Sequence, residues 1–244
     1  MLTGKLLTRG LQRALRAPQQ ARYFSAVAEK KAPEAECAPN AKGPDCWKCH
    51  HATDCCSFFC NACNAIQPIN NACHCDYFEM FKIPKHFNLE QRKIEKTYWN
   101  LQKRLHPDLY GSKSDFEKEL SAVNAAVIND AYKMLKRPNT RVKYLLALHG
   151  IDALGETAST AVDPELLMQT MEIRERIAEA SDVDALHKIR VEISKHVDAV
   201  IAKLGEVYDQ AKDLDATKQY AVELQYMVKC AEEIDLREEK LEGY

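Results

Sequence analysis

What this chain of 244 residues lacks narrows its class before any motif is read. No apolar run reaches the roughly twenty residues that a membrane-spanning helix needs, so no membrane partner is expected. The eight glycines form no phosphate-cradling loop, and no nucleophile can be paired with an orienting base, which argues against an enzyme. Excess positive charge is also missing. The net charge of -2 gives no reason to expect a nucleic-acid partner for the chain as a whole. With 46% hydrophobic and 29% charged residues, composition is that of an ordinary soluble globular protein of one to two domains.

One absence is local. Residues 1–28 contain no Asp or Glu, yet carry Lys5, Arg9, Arg13, Arg16 and Arg22 among leucines, the composition of a mitochondrial transit peptide. The expected destination is the matrix. The rival reading is a basic tail on a cytosolic protein, or a cytosolic pool. Arg22-Tyr23-Phe24-Ser25 resembles a matrix-protease cleavage context, and residues 29–45, with Pro33, Pro39, Gly43 and Pro44, lack apolar periodicity and read as linker.

Cysteine, by contrast, is concentrated: nine of ten fall between Cys37 and Cys75. Cys46-Trp47-Lys48-Cys49 and Cys60-Asn61-Ala62-Cys63 are two CxxC knuckles ten residues apart, the spacing of a four-thiolate structural zinc site in a unit spanning residues 46–75. Each knuckle can set two sulfurs about 2.3 Å from one ion. Disulfides are the rival, but a reducing matrix argues against them. Cys55, Cys56 or Cys73 could substitute in the ligand set; Cys37, Cys75, His50, His51 and His74 read as loop residues of open role. The loop between the knuckles has no Lys or Arg and carries Asp54, so phosphate binding is poorly supported. Cys230, alone in a helical stripe, reads as a small buried hydrophobe.

Ile94, Tyr98, Leu101 and Leu105 fall at i, i+4, i+7 and i+11, one face of a helix, with Lys93, Lys96, Lys103 and Arg104 between them. His106-Pro107-Asp108 ends it. Pro107 disfavours helical dihedrals at His106 and cannot donate a backbone hydrogen bond, so the chain turns and His106 and Asp108 project. A second helix follows on Phe116, Leu120, Val123, Val127, Ala131 and Leu135 until Pro138. Asp76-Tyr77-Phe78-Glu79-Met80-Phe81 ahead of this hairpin and Ile128-Asn129-Asp130-Ala131-Tyr132-Lys133-Met134-Leu135 within it complete the pattern. Residues 76–148 thereby resemble a J-domain, the module that stimulates ATP hydrolysis by DnaK-type heat-shock chaperones. The resemblance implies that His106, Pro107 and Asp108 are the stimulating loop and that Lys93, Lys96, Lys103 and Arg104 dock on an acidic chaperone surface.

Residues 149–162 read as a short linker, and residues 163–244 as three helices in an antiparallel bundle. Asp163 caps the first with Pro164 at its first position; Leu186, Ile189, Ile193, Val197, Val200, Ile201 and Leu204 mark the second, weakened by Gly205; Tyr220, Leu224, Met227, Ile234 and Leu241 mark the third. The expected fold is therefore all-α, a J-domain helical hairpin plus a three-helix bundle, preceded by a small zinc-binding unit with short β-hairpins.

The order of these parts resembles the HscB/Jac co-chaperone family of iron-sulfur cluster biogenesis, and Leu166-Leu167-Met168-Gln169-Thr170-Met171-Glu172-Ile173-Arg174-Glu175 is similar to that family's scaffold-binding helix. By that resemblance Leu167, Met168, Met171, Glu172, Glu175 and Tyr226 would contact a cluster scaffold of the IscU type, and a mitochondrial DnaK-type chaperone would be the second partner. Two other readings stand beside it. One is a metal- or redox-handling protein using the cysteines, the other a general J-protein that delivers misfolded clients.

Overall fold

The computed structural model describes residues 42–69, 75–152 and 163–242. The transit segment, most of the 29–45 linker with Cys37, the 153–162 part of the second linker, and Cys73 and His74 lie outside the described residues.

The end of the expected linker is a strand. β1 (Lys42–Asp45) pairs antiparallel with β2 (Ala52–Asp54), and the first CxxC knuckle is the loop between them. Pro44 is tolerated because a two-stranded ribbon has open edges that need no N–H. Gly43 is required by closeness, since a Cβ there would stand 2.9 Å from the Asp54 carbonyl group.

Helices account for the rest: α1 (Tyr77–Phe81), α2 (Gln91–Leu105), a 3₁₀ turn (Pro107–Tyr110), α3 (Asp115–Lys136), α4 (Pro138–Leu148), α5 (Pro164–Glu179), α6 (Val183–Leu204) and α7 (Leu214–Glu242). Capping boxes start α1, with Asp76 and Glu79, and α3, with Ser114 and Glu117. Pro138 does stop α3, but it also opens α4 at its first turn, where a missing N–H costs nothing. Asp163 and Pro164 open α5 in the same way.

α2 buries the stripe its spacing announced, with Ile94 and Leu105 fully inside. α3 does so only in part: Leu120, Ala131 and Leu135 are buried as its spacing announced, but Phe116 and Val123 are exposed, whereas Ser121 and Asn124 are fully buried. The reason is polar: Ser121 Oγ donates to the Leu105 carbonyl at 2.7 Å and Asn124 Nδ2 to the Gln67 carbonyl at 2.9 Å. Both bonds satisfy backbone groups that burial would otherwise strand.

A single apolar core runs through the J-domain-like hairpin and beyond it. Phe58, Phe59 and Ile66 enter from the cysteine-rich unit, and Val200, Leu204, Tyr208, Ala221 and Leu224 from the C-terminal helices. A second core belongs to the C-terminal helices themselves, formed by Ile177, Leu186, Ile189, Ile193, Met227, Cys230 and Ile234. Cys230 is completely buried there, and burial raises its pKa.

The joint between hairpin and bundle is polar as well as apolar. α6 continues past Gly205 as a π-helical stretch to Ala211 and then breaks at Lys212, which is left-handed with φ 57°. From that stretch the Asp209 carboxylate accepts the Phe87 and Asn88 backbone N–H groups at 2.7 and 2.8 Å. Gly205 has a close neighbour here. A Cβ would fall 2.2 Å from Asn88 Nδ2, so glycine lets the Asn88 side chain lie directly against α6. Arg141, buried, donates to the Leu135, Lys136 and Phe87 carbonyls and fixes the other side of the same loop.

Candidate functional site

His106 ends α2 with φ -58° and ψ 128°, the extended conformation that a following proline imposes, and Pro107 opens the 3₁₀ turn. His106 Nδ1 accepts the Asp108 backbone N–H at 3.3 Å and lies 3.5 Å from the Asp108 carboxylate. Both side chains are exposed, as expected for a turn that presents them. What holds the turn lies behind it: Ser121 on the Leu105 carbonyl and the Tyr110 hydroxyl on the Arg104 carbonyl at 3.1 Å. α2 and α3 are also clasped at mid-length, where Tyr98 stacks on Tyr132 with centroids 4.1 Å apart and Asn129 Oδ1 accepts from Tyr98 and Gln102. Ser121 escaped sequence reasoning, and Asn129 entered it only as part of the closing motif. A polar residue inside an apolar-looking helix was the only signal of their roles.

Of the four cations expected to dock, Lys96 and Lys103 are exposed, and Lys93 is exposed with Glu90 at 2.8 Å. Arg104 is engaged within the chain. Its guanidinium sits 3.7 Å over the Phe59 ring and donates to Asn64 Oδ1 at 2.5 Å, which ties α2 to the second knuckle.

The two knuckles are local copies of one another. Cys46 N–H donates to the His51 carbonyl and Cys60 N–H to the Ala65 carbonyl; the next turns close as His50 N–H to Cys46 and Asn64 N–H to Cys60. His50 and Asn64 each adopt φ 57°, a conformation Asn and His accept better than most residues. His50 is therefore a turn residue. Cys46, Cys49, Cys60 and Cys63 bring their sulfurs within 4.8 Å of one another, with Cys46–Cys63 and Cys49–Cys60 each at 3.7 Å. A tetrahedron of sulfurs about 2.3 Å from a central ion has edges of about 3.8 Å, so the set fits a metal. Backbone N–H groups of Lys48 and Ala62 and the Gln67 amide point at Cys46 or Cys60 sulfur, the donors that thiolates need. Burial alone would raise the Cys46 pKa, but N–H donors from Cys49 and Lys48 outweigh it and bring it down to about 6. At Cys49 the His51 N–H works in the same direction and loses to the neighbouring Cys63 thiol and burial, and the pKa rises to about 12.

The remaining cysteines correct the sequence reading. Cys56 and Cys75 are joined in a disulfide, and Cys55 is disulfide-bonded as well. They are neither loop filling nor substitutes in the ligand set. The expected reducing compartment argued against disulfides, yet the fold brings the Cα atoms of Cys56 and Cys75 to 5.8 Å, within bonding range.

On α5 the side chains of Leu167, Met168 and Met171 are 39, 68 and 63% exposed, and Glu172 and Glu175 flank them on the surface. The helix is anchored from its other side by Thr170 and Ile177. Tyr226 on α7 is half-buried and packs on the same small core as Leu166 and Ile173. Leu167, Met168 and Met171 are not core.

Comparison with known proteins agrees with this arrangement. Residues 76–144 match the DnaJ domain model and residues 162–235 the HSCB C-terminal oligomerisation domain model. The mouse iron-sulfur cluster co-chaperone protein HscB is 33% identical over 196 residues, covering 79% of this chain and 82% of the mouse protein. The chain belongs to the HscB family of co-chaperones. An HscB homolog of Arabidopsis thaliana is 34% identical over 72% of this chain and 68% of its own length. The crystal structure of human HscB superposes with a TM-score of 0.71 at 30% identity, covering 79% of this chain and 98% of the human one. Within the HscB frame, the exposed His-Pro-Asp turn lies in the DnaJ-matching segment and the exposed α5 face in the HSCB-matching one. No helix among the described residues is long and apolar enough to cross a membrane.

Proposed function

We propose that this protein binds an IscU-type iron-sulfur cluster scaffold through its C-terminal helices and delivers it to a DnaK-type chaperone whose ATPase it stimulates. The observation that carries the reading is the pairing, in one chain, of an exposed His106-Pro107-Asp108 turn with an exposed Leu167, Met168, Met171 face. Neither surface serves the fold. Apolar anchors rimmed by Glu172 and Glu175 suit a moderate, reversible interface. At the other end Lys93, Lys96, Lys103 and Arg104 steer α2 toward an acidic surface, Asp108 offers a carboxylate to a partner arginine, and His106 offers an imidazole donor or acceptor.

Cys46, Cys49, Cys60 and Cys63 hold a structural zinc ion in this reading, which would supply four bonds fixing two turns. Gln67 ties that site to α3 through Asn124, and Asn64 ties it to α2 through Arg104. Residues 46–75, 76–148 and 163–244 act as zinc unit, J-domain and scaffold-binding domain, and residues 1–28 direct the chain to the mitochondrial matrix.

His106→Gln tests the assignment. It should leave helicity and scaffold affinity unchanged while abolishing stimulation of the chaperone's ATPase, measured as steady-state phosphate release. Stimulation near the unmodified level would overturn it.

A further inference from the structure

Cys56 lies between β2 and the second knuckle, and Cys75 immediately precedes Asp76, the N-cap of α1. Their disulfide therefore staples the cysteine-rich unit to the start of the helical hairpin. A third ligand-bearing group stands beside it. Glu79 offers a carboxylate oxygen that, with the two sulfurs, forms a set within 4.8 Å of one another, all on half-buried residues. The carboxylate is positioned by its own helix: Glu79 Oε2 accepts the Asp76 N–H at 3.1 Å, and Lys85 holds Oε1 at 3.2 Å. Oε2 stands 3.8 Å from Cys56 sulfur. Lys85, which also pairs with Asp76 at 2.8 Å, adds positive charge at the rim and favours anionic ligands.

We propose that Cys56, Cys75 and Glu79 form a second metal site, closed by the disulfide and opened by a thiol reductant, that takes a thiolate-preferring divalent ion such as zinc. The chemistry balances. Two reductant thiols supply two electrons and two protons; the S–S bond breaks, two cysteine S–H bonds form, and the reductant leaves as its own disulfide. Binding of the ion then releases both thiol protons to water and makes two metal–sulfur bonds and one bond to the Glu79 carboxylate, with water in the fourth position. Disulfide and ion join the same two points, so the staple between the unit and α1 survives in either redox state. This site is independent of the four-cysteine knuckles and of whether they carry metal.

The test is zinc content of the full-length protein by elemental analysis, after zinc loading and desalting, with and without prior reduction by a phosphine under nitrogen. The increment on reduction is the readout, whatever the knuckles hold. One additional ion per chain is expected, absent in Cys56→Ser/Cys75→Ser. Glu79→Gln keeps a side chain able to cap α1 and should weaken the additional ion roughly tenfold or more, the least that losing a direct ligand should cost. No increment, an increment that persists in the double serine variant, or undiminished affinity in Glu79→Gln would each overturn the proposal.

Discussion

Residues 42–69 and residues 163–242 reach a fixed structure by different routes. The first segment's own buried cluster is only Cys46, Cys60 and Ala65, and its large side chains Phe58, Phe59 and Ile66 are spent on the core of the neighbouring hairpin. Cross-links and a borrowed core hold it. The C-terminal helices have a core of their own, in which Leu186, Met227, Cys230 and Ile234 are wholly buried. Their surface is consequently free to carry exposed apolar groups such as Met168 and Met171 without cost to the fold. A segment of about thirty residues buries too little to do the same.

That contrast can be broken most sharply at the knuckles. Stripping metal with a chelator, or substituting Cys60→Ser, should erase amide-exchange protection across residues 46–67 while α6 and α7 keep theirs, because comparable zinc units draw about 10–16 kcal/mol from the ion. Protection that survives chelation would mean that packing on the hairpin suffices. A smaller effect is expected from Met227→Ala. Removing a fully buried side chain should cost about 2–5 kcal/mol in denaturant melts, with the bundle still folding cooperatively. Smallest on stability is Leu167→Ala/Met168→Ala/Met171→Ala, about 0.5 kcal/mol or less at each methionine, which is mostly in water, and somewhat more at the half-covered Leu167, although scaffold binding by titration calorimetry should be lost. A large drop in melting temperature would show that they pack after all.

Elements set by local spacing were legible in the sequence. The α2 stripe, the Pro107 turn, the Asp163-Pro164 start and the paired CxxC knuckles each depend on neighbours within a few residues, and the two knuckles do converge. Features joining distant segments were not legible. Asp209 meets Phe87 across more than a hundred residues, Gly205 reads as a weak spot until Asn88 is seen against it, and the contacts of the exposed Arg104 with Phe59 and Asn64 leave no mark in the local spacing. α3 misled at two positions of its stripe for the same reason. Its apolar spacing favours Phe116 and Val123, but Ser121 and Asn124 turn inward to satisfy carbonyls supplied by other segments.

The two-surface account is tested most directly by the steady-state ATPase rate of a purified DnaK-type chaperone with this protein alone, with an IscU-type scaffold alone, and with both. Stimulation by the two together should exceed the sum of the separate effects, and Leu167→Ala/Met168→Ala/Met171→Ala should remove only the excess. A rate with both that equals that sum, or an excess that persists in the triple variant, would contradict it.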